Sequence, residues 1–86
     1  MQRELIKNME RRREFYQRML DFISKEHYKI VKDSVQHFML MPNISKTSET
    51  AFCQSLLYYT APEYKEHVYK KCYRFLCKTY GGKINL

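Results

Sequence analysis

Apolar positions recur at helical spacing along most of the chain. Leu5, Met9, Tyr16, Leu20 and Ile23 follow one another at steps of four, seven, four and three, which keeps them on one face of a helix over roughly residues 2–24. A second stripe, Tyr28, Val31, Val35, Phe38 and Met39, is equally helical but rotated relative to the first. One long helix could curve around a core, or the chain could break near Ser24, whose side chain would cap the next turn. The break is the preferred reading. No stretch alternates apolar and polar residues long enough to predict a strand.

The two Pro and two Gly all fall where helices should stop. Met41-Pro42-Asn43-Ile44-Ser45 reads as a loop, because the residue before a proline is pushed out of the helical region. Thr47 is the expected cap of a third helix, with Glu49 placed against its positive end. That helix carries Phe52, Leu56 and Tyr59 on one side. Thr60 and Glu63, flanking Pro62, have the spacing of a capping box for a fourth helix. Gly81 fits the left-handed residue that ends helices, and Lys78 lies in the last turn, where a cation is favoured. The expected fold is all-α: a compact bundle of three to four helices, one domain over residues 1–86, with no internal repeat. Its expected core is Leu5, Met9, Tyr16, Leu20, Val31, Val35, Phe38, Phe52, Leu56, Val68, Cys72 and Phe75.

Composition narrows the class. Apolar residues make up 44% of 86 positions, too many for an intrinsically disordered chain. The longest apolar run, Phe38 to Met41, is far short of the ~20 residues of a membrane span. Arg3, Glu4, Lys7 and Arg11 to Arg13 stand where a secretory signal would have its apolar core. Three cysteines, an odd number without paired spacing, argue against a disulfide framework. These features predict an intracellular protein, cytoplasmic or nuclear.

Charge then becomes informative. Sixteen Lys and Arg against nine Asp and Glu leave a formal +7. The excess concentrates on the fourth helix, where Lys70, Lys71, Arg74 and Lys78 occupy one half of the helical wheel with His67. A second cluster is Arg11, Arg12 and Arg13. A contiguous basic face neutralises phosphates without reading bases, so nucleic acid, DNA or RNA, is the expected partner. Glu63 and Glu66 at the start of the fourth helix would repel phosphates there, which disfavours a helix-turn-helix reading sequence in a groove. On the first helix, Lys7, Arg11 and Arg18 alternate with Glu10, Glu14 and Asp21, the pattern of a self-paired, solvated face.

The other half of the fourth helix carries Tyr64, Val68, Tyr69, Cys72, Tyr73, Phe75, Leu76 and Tyr80. So wide an apolar arc predicts a central helix covered on two sides. The alternative leaves Tyr69, Tyr73 and Tyr80 on a protein interface, where tyrosine is favoured. Arg12, on the apolar stripe between Met9 and Tyr16, either snorkels along the core edge or anchors such an interface. Thirteen aromatic residues are more than so small a core encloses, which predicts a homodimer.

No catalytic site or cofactor is expected. Cys53, Cys72, Cys77, His27, His37 and His67 include no pair at zinc-ligand spacing, and no Gly-rich loop opens a helix. The reading is a non-catalytic, phosphate-binding accessory or regulatory protein. Its alternative is a helical inhibitor or adaptor, of the kind encoded by viruses and phages, acting through an aromatic and arginine surface.

Overall fold

The computed structural model describes residues 2–86, with side chains from residue 9 onward. The expected core position Leu5 lies outside the described side chains. Four helices form the bundle: α1 (Gln2–Met19), α2 (Tyr28–Met39), α3 (Lys46–Tyr59) and α4 (Lys65–Tyr80). Short 3-10 turns extend α1 (Leu20–Phe22) and precede α2 (Lys25–His27) and α4 (Pro62–Tyr64). No strand occurs among the described residues beyond one isolated antiparallel bridge, Ile23 to Thr60.

That bridge explains a helix break with no strong local breaker. Ser24 does not cap the next turn through its side chain. Instead its backbone N–H donates to the Tyr59 carbonyl at 2.9 Å, and the Ala61 N–H donates to the Phe22 carbonyl at 2.9 Å. Each break thus satisfies the backbone of the other, which local sequence cannot announce. Two expected caps also differ, both through local contacts. Ser45, not Thr47, caps α3, its Oγ accepting from the Ser48 N–H at 3.1 Å. Thr60 forms no capping box: it is buried, and its hydroxyl turns back to donate to the Leu56 carbonyl at 2.6 Å. Gly81 ends α4 at φ 71°, as its sequence position predicts.

The two breaks are the visible part of a repeat. A shift of 37 residues, the step from Ile23 to Thr60, maps the first helix pair onto the second. Tyr16, Met19, Ile23, Val31, Val35 and Phe38 become Cys53, Leu56, Thr60, Val68, Cys72 and Phe75, and all twelve are buried. The stacked rings Phe15 and Phe75, 4.2 Å apart, become Phe52 and Phe38, 4.1 Å apart. The ring contacts of Phe22 with Tyr64 and Tyr59 with His27 also exchange. Contacts that swap partners in this way define an approximate two-fold axis. It passes between Arg12 and Glu49, Tyr16 and Cys53, and Ile23 and Thr60, so α1 and α3 run in the same direction on either side of it. The expectation of no internal repeat is corrected. Identity survives in only six pairs between residues 15 and 75: Phe15/Phe52, Gln17/Gln54, Leu20/Leu57, Glu26/Glu63, Val31/Val68 and Phe38/Phe75.

The core otherwise matches the helical stripes, with two changes. Phe52 is half-buried, and Met9, expected inside, is 53% exposed. Met19, Ile23, Cys53, Leu76 and Ile84 are buried in addition. Ile84 belongs to the C-terminal tail, which turns at Gly81 and Gly82 and returns along α3. There Gln54 donates to the Asn85 carbonyl at 3.1 Å.

Candidate functional site

At the axis of the bundle, Glu49 is fully buried yet fully partnered. The Arg12 guanidinium donates to both its carboxylate oxygens at 2.8 Å, and the Tyr16 and Tyr80 hydroxyls donate at 2.7 and 2.6 Å. Four donors compensate the desolvated carboxylate, the condition for a tolerable buried charge. The hydrogen bonds to Glu49 raise the Arg12 pKa despite its burial. Burial, with Cys53 and Glu49 beside it, also raises that of Tyr16. Tyr80 is pushed up to about 12, first by burial and then by its bond to Glu49. Both tyrosines therefore favour their neutral, donating form. The stability this contributes is complete below pH ~10 and is lost as pH rises through the folded values.

This network removes two residues from the expected contact surfaces. Arg12, with a side chain only 12% exposed, is spent inside the fold and offers its guanidinium neither to phosphate nor to a partner. Tyr80 is half-buried and directed at Glu49, so it does not stand with the other tyrosines. As expected, α4 is covered on two sides, by α3 and α1, but that cover does not take in its whole apolar arc. Val68, Cys72, Phe75 and Leu76 are buried, while Tyr64, Tyr69 and Tyr73 are each about 40% exposed. The rings of Tyr69 and Tyr73 lie near parallel, 21° apart, with their centroids separated by 6.4 Å.

The basic residues sort themselves around a groove of about 570 Å³ between α1 and α4. Phe15, Met19, Phe22 and Phe75 contribute its apolar surface. Arg11 and Arg18 stand on the α1 bank, and Lys71, Arg74 and Lys78 on the α4 bank. Arg11 is held over the Phe75 ring, its guanidinium carbon 5.8 Å from the centroid. Glu14 and Asp21 share the α1 bank, so five cations outnumber two carboxylates by three. The expected self-pairing of that helix does not occur: among the described residues, no ion pair involves any of these seven charges. They are solvated and unneutralised.

Of the predicted contact residues, the fold brings Arg11, Lys71, Arg74 and Lys78 together. Arg18 joins them, although its alternation with carboxylates had disguised it. Lys70 lies outside this groove and pairs with Glu66 at 3.4 Å. Arg13 lines a different groove of about 670 Å³, beside Met9, Leu40 and Met41.

Cys72 is buried, and its thiol pKa is raised by the neighbouring Cys53 and by burial, which leaves it unreactive at neutral pH. Among the described residues no three His, Cys, Asp or Glu side chains cluster as a metal site, and no helix is long and apolar enough to cross a membrane. Comparison of the chain with protein-family models, with curated proteins and with solved structures gives no match.

Proposed function

We propose that this is a small, non-catalytic nucleic-acid-binding protein that grips phosphates in the groove between α1 and α4. The observation that carries the reading is the contrast between this groove and its two-fold counterpart. Shifted by 37 residues, Arg11, Glu14, Arg18, Asp21, Lys71, Arg74 and Lys78 become Ser48, Ala51, Ser55, Tyr58, Ser34, His37 and Met41. The stacked phenylalanines recur in both places, but the charges occur in one. The same architecture therefore forms without cations. Five unpaired cations on two facing banks repel one another, and a polyanion relieves that repulsion while releasing its own counterions.

Fluorescence anisotropy with labelled oligonucleotides tests this. Lys71→Glu with Arg74→Glu should weaken binding more than tenfold for unrelated sequences alike, and flatten the salt dependence. The control is Lys29→Glu with Lys32→Glu, two exposed α2 lysines whose reversal changes net charge equally. It should have a far smaller effect. Failure to bind any oligonucleotide at low salt would refute the phosphate reading.

The second reading, a protein-interaction module, has its own support. Met9, Met41 and Leu40 are 53%, 44% and 80% exposed around the groove that Arg13 lines. Flexible methionines at a surface suit an adaptable protein contact, including one with a second copy of the chain.

A further inference from the structure

Tyr69 and Tyr73 lie outside the basic groove, yet they share its helix. Both rings are about 40% exposed, and their planes lie 21° from parallel with centroids 6.4 Å apart. That separation follows from their i, i+4 placement, one helical turn apart. It is too wide for the two rings to stack closely on each other. As the upper limit on the gap between the planes it falls slightly short of two stacking steps of about 3.4 Å, so a flat ring enters between them only with a small outward rotation of the exposed side chains.

The position of the pair relative to charge narrows what that ring belongs to. At 100° per residue, Lys70 and then Arg74 follow Tyr73 around α4 toward Lys78 and Lys71. Lys70 and the Glu66 paired with it at 3.4 Å lie between the groove and the tyrosines, so a chain with phosphates against Arg74 passes this neutralised pair before its bases reach the rings. Burial gives no reason for these two rings to be aromatic, since neither is in the core. The two-fold counterparts, Lys32 and Gln36, are not aromatic, so the pair, like the cations, belongs to one half only.

We propose that the ligand is single-stranded nucleic acid, with one base inserted between Tyr69 and Tyr73 while neighbouring phosphates sit against Arg74, Lys71 and Lys78. The inference rests on the phosphate reading above and adds the strandedness of the partner. A duplex keeps its base faces stacked and leaves the tyrosine slot unused, whereas every unpaired base has a face to offer.

The test compares a thymidine oligonucleotide of about 12 nucleotides with a mixed-sequence duplex of equal length at one low salt concentration. The single strand should bind more tightly and quench tyrosine emission, which no tryptophan obscures in this chain. Tyr69→Ala and Tyr73→Ala should each lower single-strand affinity by about five- to a hundredfold, leave duplex binding unchanged and abolish most of the quenching. Tyr73→Phe, which keeps the stacking face, should retain nearly all of the single-strand affinity. Duplex binding as tight as single-strand binding, or alanine variants that bind like the parent, would overturn the slot and leave the phosphate groove standing. Absence of binding to either probe would overturn both.

Discussion

The basic groove and the two-fold related positions between α2 and α3 are built alike and finished differently. Between α1 and α4, and again between α2 and α3, a phenylalanine from each helix stacks on its neighbour at almost the same distance and angle. Around the first pair stand five cations and two carboxylates; at the seven two-fold related positions stand three serines, an alanine, a tyrosine, a histidine and a methionine. Features common to both grooves are what folding requires. Features confined to one are free of that requirement, and something other than folding sets them. The pseudo-symmetry thus supplies an internal control where comparison with other proteins gives no match.

The Arg12 and Glu49 pair is where that comparison should break most severely. The two residues occupy equivalent positions across the axis, yet they carry opposite charges and hold both halves together. Glu49→Ala leaves a mostly buried guanidinium and two tyrosine hydroxyls without their acceptor. Removing one partner of a buried pair costs about 3–5 kcal/mol. Urea denaturation should show a loss of that size, or no folded state at all. A loss below ~1 kcal/mol would mean that water reaches the network easily.

Next in size are the stacked rings. Phe38 and Phe75 are buried to the same degree, so Phe38→Ala and Phe75→Ala should each cost about 3 kcal/mol. Their agreement within ~1 kcal/mol in parallel unfolding curves is the point at issue. A large difference would show that the two grooves bear unequal structural loads, and would weaken the use of one as control for the other.

Much of the fold was legible because its signals are local. Helical stripes predicted most of the buried positions, the loop at Pro42 and the stop at Gly81. The repeat was not legible, since six identities among changed neighbours are invisible until contacts reveal the register. Nor was Glu49, which looks like an ordinary acid in the first turn of a helix until Arg12, Tyr16 and Tyr80 converge on it. The candidate site lay between these extremes. Charge on one helix face predicted Lys71, Arg74 and Lys78, but only tertiary packing could add Arg18 and divert Arg12 inward, whereas the pairing of Lys70 with Glu66 is an i, i+4 contact within α4 that the spacing already contained.

The smallest expected effect on the fold is also the sharpest use of the comparison. Ser34, His37, Met41 and Ser55 are exposed, and they stand where Lys71, Arg74, Lys78 and Arg18 stand in the other half. Replacing them as Ser34→Lys, His37→Arg, Met41→Lys and Ser55→Arg paints the basic lining onto the uncharged counterpart positions. None of the four is buried and none is a hydrogen-bonding partner of the core, so each substitution should shift stability by no more than ~0.5 kcal/mol. Added like charge makes the sum slightly unfavourable at low salt and close to nothing at high salt. If two facing banks of unpaired cations are sufficient for phosphate binding, titration calorimetry with a short oligonucleotide should now find two sites per chain instead of one. The new site should match the old in salt dependence but not in tyrosine quenching, because Lys32 and Gln36 occupy the places of Tyr69 and Tyr73. A single site in the altered protein, with its folding intact, would mean that cations on this frame are not enough, and that the native groove holds its ligand by some feature its counterpart lacks.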